Sequence, residues 1–366
     1  MTVKKIIALV LSAALSVCLF SGCGKDGGKE EDGERGKLMM TVDDTDIYED
    51  YFEYFYNYYK TNLENSYGDI TDWTKEVSDG YTYQQYVIDA TTNWFIYSEA
   101  VRVQANRLGV GFNEEDQAAL DEDWNSVCEQ NGGEEEFIKY LEEQHCTKEL
   151  YAYISSTDLI AQKCFNAMYG ENGENVSDED CAEHTADDGY LMAKHILILT
   201  TETDAEGNSV ALSDEEKAQR LEKAESILTQ LDQCSTTEEL YSRFDQLMNE
   251  YSEDTGLANF PDGYLFQEGD MVTEFYEGTL ALNEGEYSGI VETSYGYHII
   301  LRIPVNYDVI PMAYSSYMAY GYNYTLRYIV AEDMFNSNAN TWLDTVDVTY
   351  TDAYNEIDLN SYFAVG

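Results

Sequence analysis

Residues 263–303 read GYLFQEGDMVTEFYEGTLALNEGEYSGIVETSYGYHIILRI, and this stretch decides the fold. It couples an apolar set, Phe266, Met271 and Phe275, to one histidine, His298. Tyr297–Ile303 has the composition of a strand. Alternation would put His298, Ile300 and Arg302 on one face and Ile299, Leu301 and Ile303 on the other. Upstream, Ala193–Ile198 (AKHILI) places a second histidine, His195, in another apolar strand. Only four histidines occur in the chain, and two of them lie in these strands.

Working outward, Tyr190–Leu199 reads as an apolar strand. Ser213 and Glu216 form a capping box, opening a helix with Ala218, Leu221, Ala224, Leu228 and Leu231 on one face. A second helix starts near Thr236 and carries Leu240, Phe244, Leu247, Met248 and Tyr251. Strands are expected near Gly263–Phe266, Tyr287–Val291 and Tyr297–Ile303, with a short helix around Thr273–Glu277. A strand, two helices and further strands give an α+β order. Pro304 and Pro311 close the segment; a helix over about Tyr324–Leu343 and a strand-like Val346–Tyr350 follow.

Before it, from Leu38 to about Gly189, the pattern is helical. Tyr48–Tyr59 is dense in aromatics at three- and four-residue spacing. A long helix is expected from about Thr82 to Leu108, stopped by Gly109. Asn113 is placed to cap a helix reaching Gln130, and Glu134–Gln144 and Thr147–Met168 follow, the last ended by Gly170.

These segments resemble the parvulin-type peptidyl-prolyl cis-trans isomerase domain over Tyr190–Pro304. Phe266, Gly269, Met271 and Phe275 meet the family pattern F-x-x-G-x-M-x-x-x-F, whose aromatic and methionine positions form a proline-binding wall. His195 and His298 match the two family histidines on neighbouring central strands. Asp254 matches the position where the family carries Asp or Cys, and Thr293 is a candidate hydroxyl near the histidines. The chain departs from the family at Phe260–Leu265, before the pocket, at Thr273 in place of Pro, and at Leu280 in place of Phe. The preceding helices resemble the N-terminal region of PrsA- and SurA-type foldases.

The resemblance implies a parvulin-like domain, a small antiparallel sheet flanked by helices, inserted in a mostly α-helical chaperone domain. The expected boundaries are a signal peptide at 1–22, a linker at 23–37, a helical region at 38–189, the isomerase domain at 190–304, and a tail at 305–366 packing on the helical region.

Rotating an X-Pro bond needs neither nucleophile nor metal. Its barrier of about 20 kcal/mol comes from amide resonance, which is lost in the twisted form. A catalyst must bind that twisted form better than either planar one. An apolar seat for the proline ring and polar groups near the imide supply the means. The resemblance implies His195, Asp254 and His298 as the polar set, and Phe266, Met271, Phe275 and Thr293 as the substrate-binding set. Each has a plainer role: core packing for the apolar residues, a sheet-supporting histidine pair, and a solvated cap for Asp254.

The N-terminus points to export. Lys4 and Lys5 precede the apolar Ile6–Phe20, then Ser21, Gly22 and Cys23. This is the plan of a secretory signal. Small residues ahead of Cys23 resemble a bacterial lipobox, with lipid on the Cys23 sulfur; the apolar run is shorter than the roughly 20 residues a span needs. Gly24–Lys37 is polar and glycine-rich, suited to a tether.

With 71 acidic against 20 basic residues, the net charge is −51, which argues against nucleic acid and against docking on anionic lipid through a basic patch. Beyond Cys18 and Cys23, five scattered cysteines (128, 146, 164, 181 and 234) form no C-x-x-C pair, and read mostly as small buried apolar residues. No metal or other cofactor is expected.

The implied function is a membrane-anchored, extracytoplasmic isomerase and foldase acting on unfolded or partly folded exported polypeptides. A peptide-binding holdase with a weak or inactive parvulin module is the alternative. A solute-binding lipoprotein leaves the two histidines unexplained. Oligomeric state is left open by the sequence.

Overall fold

A computed structural model describes residues 35–78, 80–205 and 207–357. The expected signal peptide, the lipobox at Cys23 and nearly all of the linker lie outside the described residues. The chain divides into two compact units. One takes in the chain up to Glu171 and again from Glu332 onward; the other is Asn172–Ala331.

The first unit is mostly helical. It opens with a hairpin, β1 (Leu38–Val42) and β2 (Thr45–Tyr48), followed by α1 (Glu49–Tyr67), a small ribbon of β3 (Glu76–Ser78) and β4 (Tyr81–Thr82), and α2 (Tyr83–Leu108). Then come α3 (Glu114–Gln130), α4 (Glu134–Glu143) and α5 (Lys148–Tyr169). Local chemistry sets these limits. The Thr82 side chain accepts the Gln85 N–H at the start of α2, and Gly109 ends that helix in the left-handed conformation. Asn113 and Asp116 form a reciprocal capping box on α3. Aromatic packing fills the core: the rings of Phe55 and Trp94 stack 3.8 Å apart, and Phe95 meets Phe55 edge-on at 5.2 Å.

The opening hairpin corrects the expectation that the chain from Leu38 to about Gly189 is helical throughout. β1 pairs with β2 and, on its other edge, with a tail strand, Val348–Tyr350, whose Tyr350 stands opposite Met40. A partner some three hundred residues away leaves no trace in local periodicity.

The second unit opens with a short helix, α6 (Asp178–His184), capped by Ser177. Next come β5 (Leu191–Leu199), a small hairpin of β6 (Thr201–Thr203) and β7 (Ser209–Ala211), α7 (Asp214–Leu231) and α8 (Thr237–Tyr251). They are followed by β8 (Tyr264–Phe266), α9 (Thr273–Leu280), β9 (Val291–Glu292) and β10 (Gly296–Ile303). The main sheet has the order β8-β5-β10-β9 with every pair antiparallel. The long central pair is buried almost throughout, as an apolar run needs when helices cover its sheet.

A strand expected over Tyr287–Val291 is broken up. Tyr287 makes a single bridge to Leu301, and pairing resumes only at Val291. Ser288 explains the gap, because its hydroxyl, not a backbone carbonyl, accepts the Ile300 N–H at 2.9 Å. After the sheet lie 3-10 turns at Met312–Tyr320, then α10 (Leu326–Trp342), β11 (Val348–Tyr350) and α11 (Asp352–Asn355). The fold is therefore α+β: a small antiparallel sheet with helices, set in sequence between the two parts of a mostly helical unit.

Among the described residues no helix is long and apolar enough to cross a membrane. Cys128, Cys146, Cys164 and Cys181 are buried and Cys234 half-buried, all as free thiols.

Candidate functional site

The central strands place the two histidines. In the antiparallel register His298 stands opposite Leu197 and Ile300 opposite His195. Both imidazoles thus lie on one face, diagonal to each other. Their Nδ1 atoms are 3.0 Å apart, and the rings lie near parallel with centroids 5.1 Å apart.

Asp254 reaches this face by an irregular route. After α8 the chain fastens to the free edge of β5. Ser252 Oγ accepts the Leu197 N–H, the Glu253 N–H donates to the Leu197 carbonyl, and the Glu253 carboxylate accepts the Leu199 N–H. Arg220 on α7 holds that same carboxylate at 2.7 Å. Asp254 follows directly, and its Oδ2 lies 2.8 Å from His195 Nε2. Two more donors converge on it: the Tyr264 hydroxyl at 2.6 Å and the Gly256 N–H at 2.9 Å. Gly256 lets the Tyr264 hydroxyl in, since a Cβ there would sit 2.2 Å from it and have to displace it. Asp254 is thus both a turn cap and a partner of the histidines.

On the other side Thr293 Oγ1 lies 2.9 Å from His298 Nε2 and accepts the Tyr295 N–H. Its hydroxyl proton is free to point at the imidazole.

Burial and hydrogen bonding set the charges of Asp254 and His298 in the array. Burial pushes the Asp254 carboxyl up, but hydrogen bonds from His195, Tyr264 and the Gly256 N–H outweigh it and hold the pKa at about 2. Burial, reinforced by neighbouring His195, depresses His298 to about 3. Burial and the bond to Asp254 raise Tyr264, so it stays a donor. A carboxylate only accepts, so His195 Nε2 must carry a proton. A neutral His195 would accept at Nδ1 from His298 Nδ1–H, leaving His298 Nε2 to accept from Thr293. In that tautomer the protons would run from Thr293 to His298 to His195 to Asp254.

The apolar set adjoins this array. Phe266 and Phe275 form one cluster with Leu191, Ala193, Tyr264 and Ile300, and half-buried Met271 packs against it. The Phe275 ring meets His195 edge-on at 5.1 Å and His298 at 5.4 Å. Phe266 is 0% and Phe275 3% exposed, so Met271 carries most of the accessible surface of the three. All seven candidate side chains (His195, Asp254, His298, Phe266, Met271, Phe275 and Thr293) thus fall around one face of the sheet. Tyr264 was legible in the sequence only as a departure before the pocket; its hydroxyl joins the polar array to the apolar cluster. Burial keeps His298 neutral near pH 7, and among the described residues no group of acidic, His and Cys side chains could hold a metal.

Residues 181–303 match the family described as the PPIC-type PPIASE domain. The chain is 26% identical over 183 residues to the foldase protein PrsA of Staphylococcus aureus, covering 50% of each. It is 27% identical over 186 residues to the foldase protein PrsA of Staphylococcus epidermidis, again covering 50% of each. It therefore spans about half the length of the curated relatives it matches. The crystal structure of PrsA from Bacillus subtilis shares 20% identity over 75% of this chain and 92% of that one, at a TM-score of 0.25, too low to support a shared overall arrangement. Within residues 181–303 the chain carries a parvulin-type peptidyl-prolyl isomerase domain.

Proposed function

We propose that this protein is an extracytoplasmic peptidyl-prolyl cis-trans isomerase and foldase, tethered to the bacterial membrane through lipid on Cys23, that acts on unfolded exported polypeptides. The observation that carries the enzymatic part is the hydrogen-bonded array linking Thr293, His298, His195 and Asp254, set against the cluster of Phe266 and Phe275. Export and anchoring rest on the sequence of residues 1–37.

Met271 and the rings behind it seat the proline side chain, as the family pattern has it. In the planar imide, resonance places negative charge on the carbonyl oxygen and positive charge on nitrogen; twisting removes both. A carboxylate fixed near the carbonyl oxygen disfavours the planar form more than the twisted one, which lowers the barrier. Asp254 is held ionised for that role, and the two histidines and Thr293 hold it and each other in place. No proton is transferred, and no cofactor is required.

A second reading is a holdase whose parvulin module binds peptide and turns it over poorly. The near-complete burial of Phe266 and Phe275 favours it, because so little of the wall faces outward. Protease-coupled turnover of a proline tetrapeptide by the full chain separates the two. Met271→Ala should lower kcat/KM about tenfold, the effect of about 1.4 kcal/mol of lost apolar contact. Wild-type activity that the substitution leaves untouched would move the pocket elsewhere; no wild-type activity would leave the holdase.

A further inference from the structure

From Val309 to Leu326 the chain runs for 18 residues without a charged side chain, in a protein with 71 acidic and 20 basic residues. The stretch holds five tyrosines (314, 317, 320, 322 and 324) and two methionines, Met312 and Met318. Tyr317 is 46% exposed, Tyr320 79% and Tyr322 48%, and none of Met312–Tyr320 is fully buried. Their rings support one another: Tyr322 stacks on Tyr324 at 5.4 Å, and Tyr317 meets Tyr324 edge-on at 5.6 Å.

The stretch is anchored at its neck. The Leu326 N–H donates to the Val309 carbonyl at 3.0 Å, and the Arg327 N–H to the Tyr307 carbonyl at 2.7 Å. The Arg327 guanidinium then binds Asp308, Asp178 and the Val176 carbonyl, each at 2.6 Å. At its near end Met312 packs against the same cluster that holds Phe266 and Phe275. The exposed tyrosines follow Met312 in sequence, so the uncharged stretch begins beside the candidate site and continues away from it.

Such a surface has a cost in solubility that a charged loop avoids. Tyrosine offers large amphipathic contact area with few rotors to freeze, and methionine adapts to varied shapes. We propose that Val309–Leu326 is a docking surface for unfolded polypeptide flanking the X-Pro bond. It takes apolar and aromatic segments beyond the residues seated at the bond itself. The uncharged patch within a strongly acidic protein selects segments that are neutral or basic and turns acidic ones away. The same charge opposes anionic lipid, which favours polypeptide over membrane as the occupant. The proposal rests on the isomerase reading for what occupies the adjoining pocket.

The test compares the full chain with a Tyr317→Ser/Tyr320→Ser/Tyr322→Ser variant and with Tyr320→Ser alone, the mildest change. Two probes are used: a proline tetrapeptide for turnover, and a fluorescent 20-residue peptide with one Leu-Pro bond, two Phe and two Lys for affinity. The triple variant should bind the long peptide about tenfold more weakly, and the single variant about threefold, with tetrapeptide turnover within about twofold of wild type. A long peptide that wild type does not bind, or that all three proteins bind equally, overturns the proposal. So does binding of phosphatidylglycerol vesicles that the variants lose while peptide affinity stays put. Loss of long-peptide affinity in a protein that never turns over the tetrapeptide would retain the docking surface and reject the isomerase.

Discussion

Both units bury hydrogen-bonding and charged side chains, and they do so with opposite geometry. In the helical unit Glu99 on α2 accepts from the Tyr153 hydroxyl on α5 and faces Arg102, whose guanidinium donates to Ser156 and Thr157. That network closes on itself, stitching α2 to α5. In the sheet unit the array from Thr293 crosses two strands and ends on half-buried Asp254, whose partner Tyr264 belongs to the apolar cluster. A closed network spends its polarity on stability. One that ends on a partly accessible charge beside an apolar wall can present that charge to a ligand. Where a buried network ends is more informative about function than how deeply it is buried.

The largest expected effect breaks the closed network. Glu99→Ala takes the carboxylate away from Arg102 and Tyr153, leaving the guanidinium only neutral acceptors, Ser156 and Thr157 among them. The helical unit should lose about 3 kcal/mol. All four tryptophans, Trp73, Trp94, Trp124 and Trp342, lie in that unit, so tryptophan fluorescence in urea follows it selectively. The transition should move to lower urea with tetrapeptide turnover preserved in the absence of denaturant. If turnover falls in step with the tryptophan signal, the division between a structural and a functional network fails.

Acid should pull the units in opposite directions. In the sheet unit His298 titrates near 3 when folded against 6.5 ordinarily. The unfolded chain binds the proton first, so this contribution is complete above pH 6.5 and is lost as pH falls towards 3. Asp254, near 2 against 3.8, adds to the loss below about pH 4. In the helical unit burial raises Asp158 to about 7. There the unfolded chain releases its proton first, so stability is present below about pH 4 and is lost as pH rises to 7. Between pH 7 and 4.5 each unit should shift by roughly 2 kcal/mol, one up and one down. Tryptophan fluorescence reports the helical unit, and the ring resonances of His298 report the sheet unit. Asp158→Asn should flatten the tryptophan response; an unchanged slope would assign it to other groups.

The same contrast governs what could be seen in advance. Helix limits were legible because their signals are local: Gly109, the Asn113–Asp116 box and the Ser213–Glu216 box lie within one turn of what they end or begin. The histidine pair was legible in part from two apolar runs that read as strands; that those strands are neighbours came from the family resemblance. Asp254 was visible through the family resemblance alone; its approach to His195 depends on Ser252 and Glu253 gripping the edge of β5, which no periodicity encodes. The β1–β11 pairing and the role of Tyr264 were illegible for the same reason, since each depends on a partner brought in by tertiary structure. Only with that partner known does Phe260–Leu265 stop looking like a damaged family motif. It contains the side chain that links the two halves of the site.

The smallest expected effect sharpens the comparison most, because it touches one hydrogen bond at the open end of the array. Tyr264→Phe keeps the ring against His195, 5.4 Å between centroids, and removes one of three donors to Asp254. The loss should be about 1 kcal/mol, small enough for the fold to persist. With one donor gone, the Asp254 carboxyl should titrate above its present value of about 2, moving towards 3.8. Carboxyl carbon resonances would follow it. The kcat for a tetrapeptide should fall a few fold with little change in KM, since the carboxylate acts on the twisting imide more than on binding. Gly256→Ala approaches the same bond from the other side, because its new methyl group would force the Tyr264 hydroxyl away. Both variants should therefore give the same titration shift and the same split between kcat and KM. If Tyr264 were core packing and nothing more, Tyr264→Phe would leave both readouts at their wild-type values, and Gly256→Ala would then act only through stability.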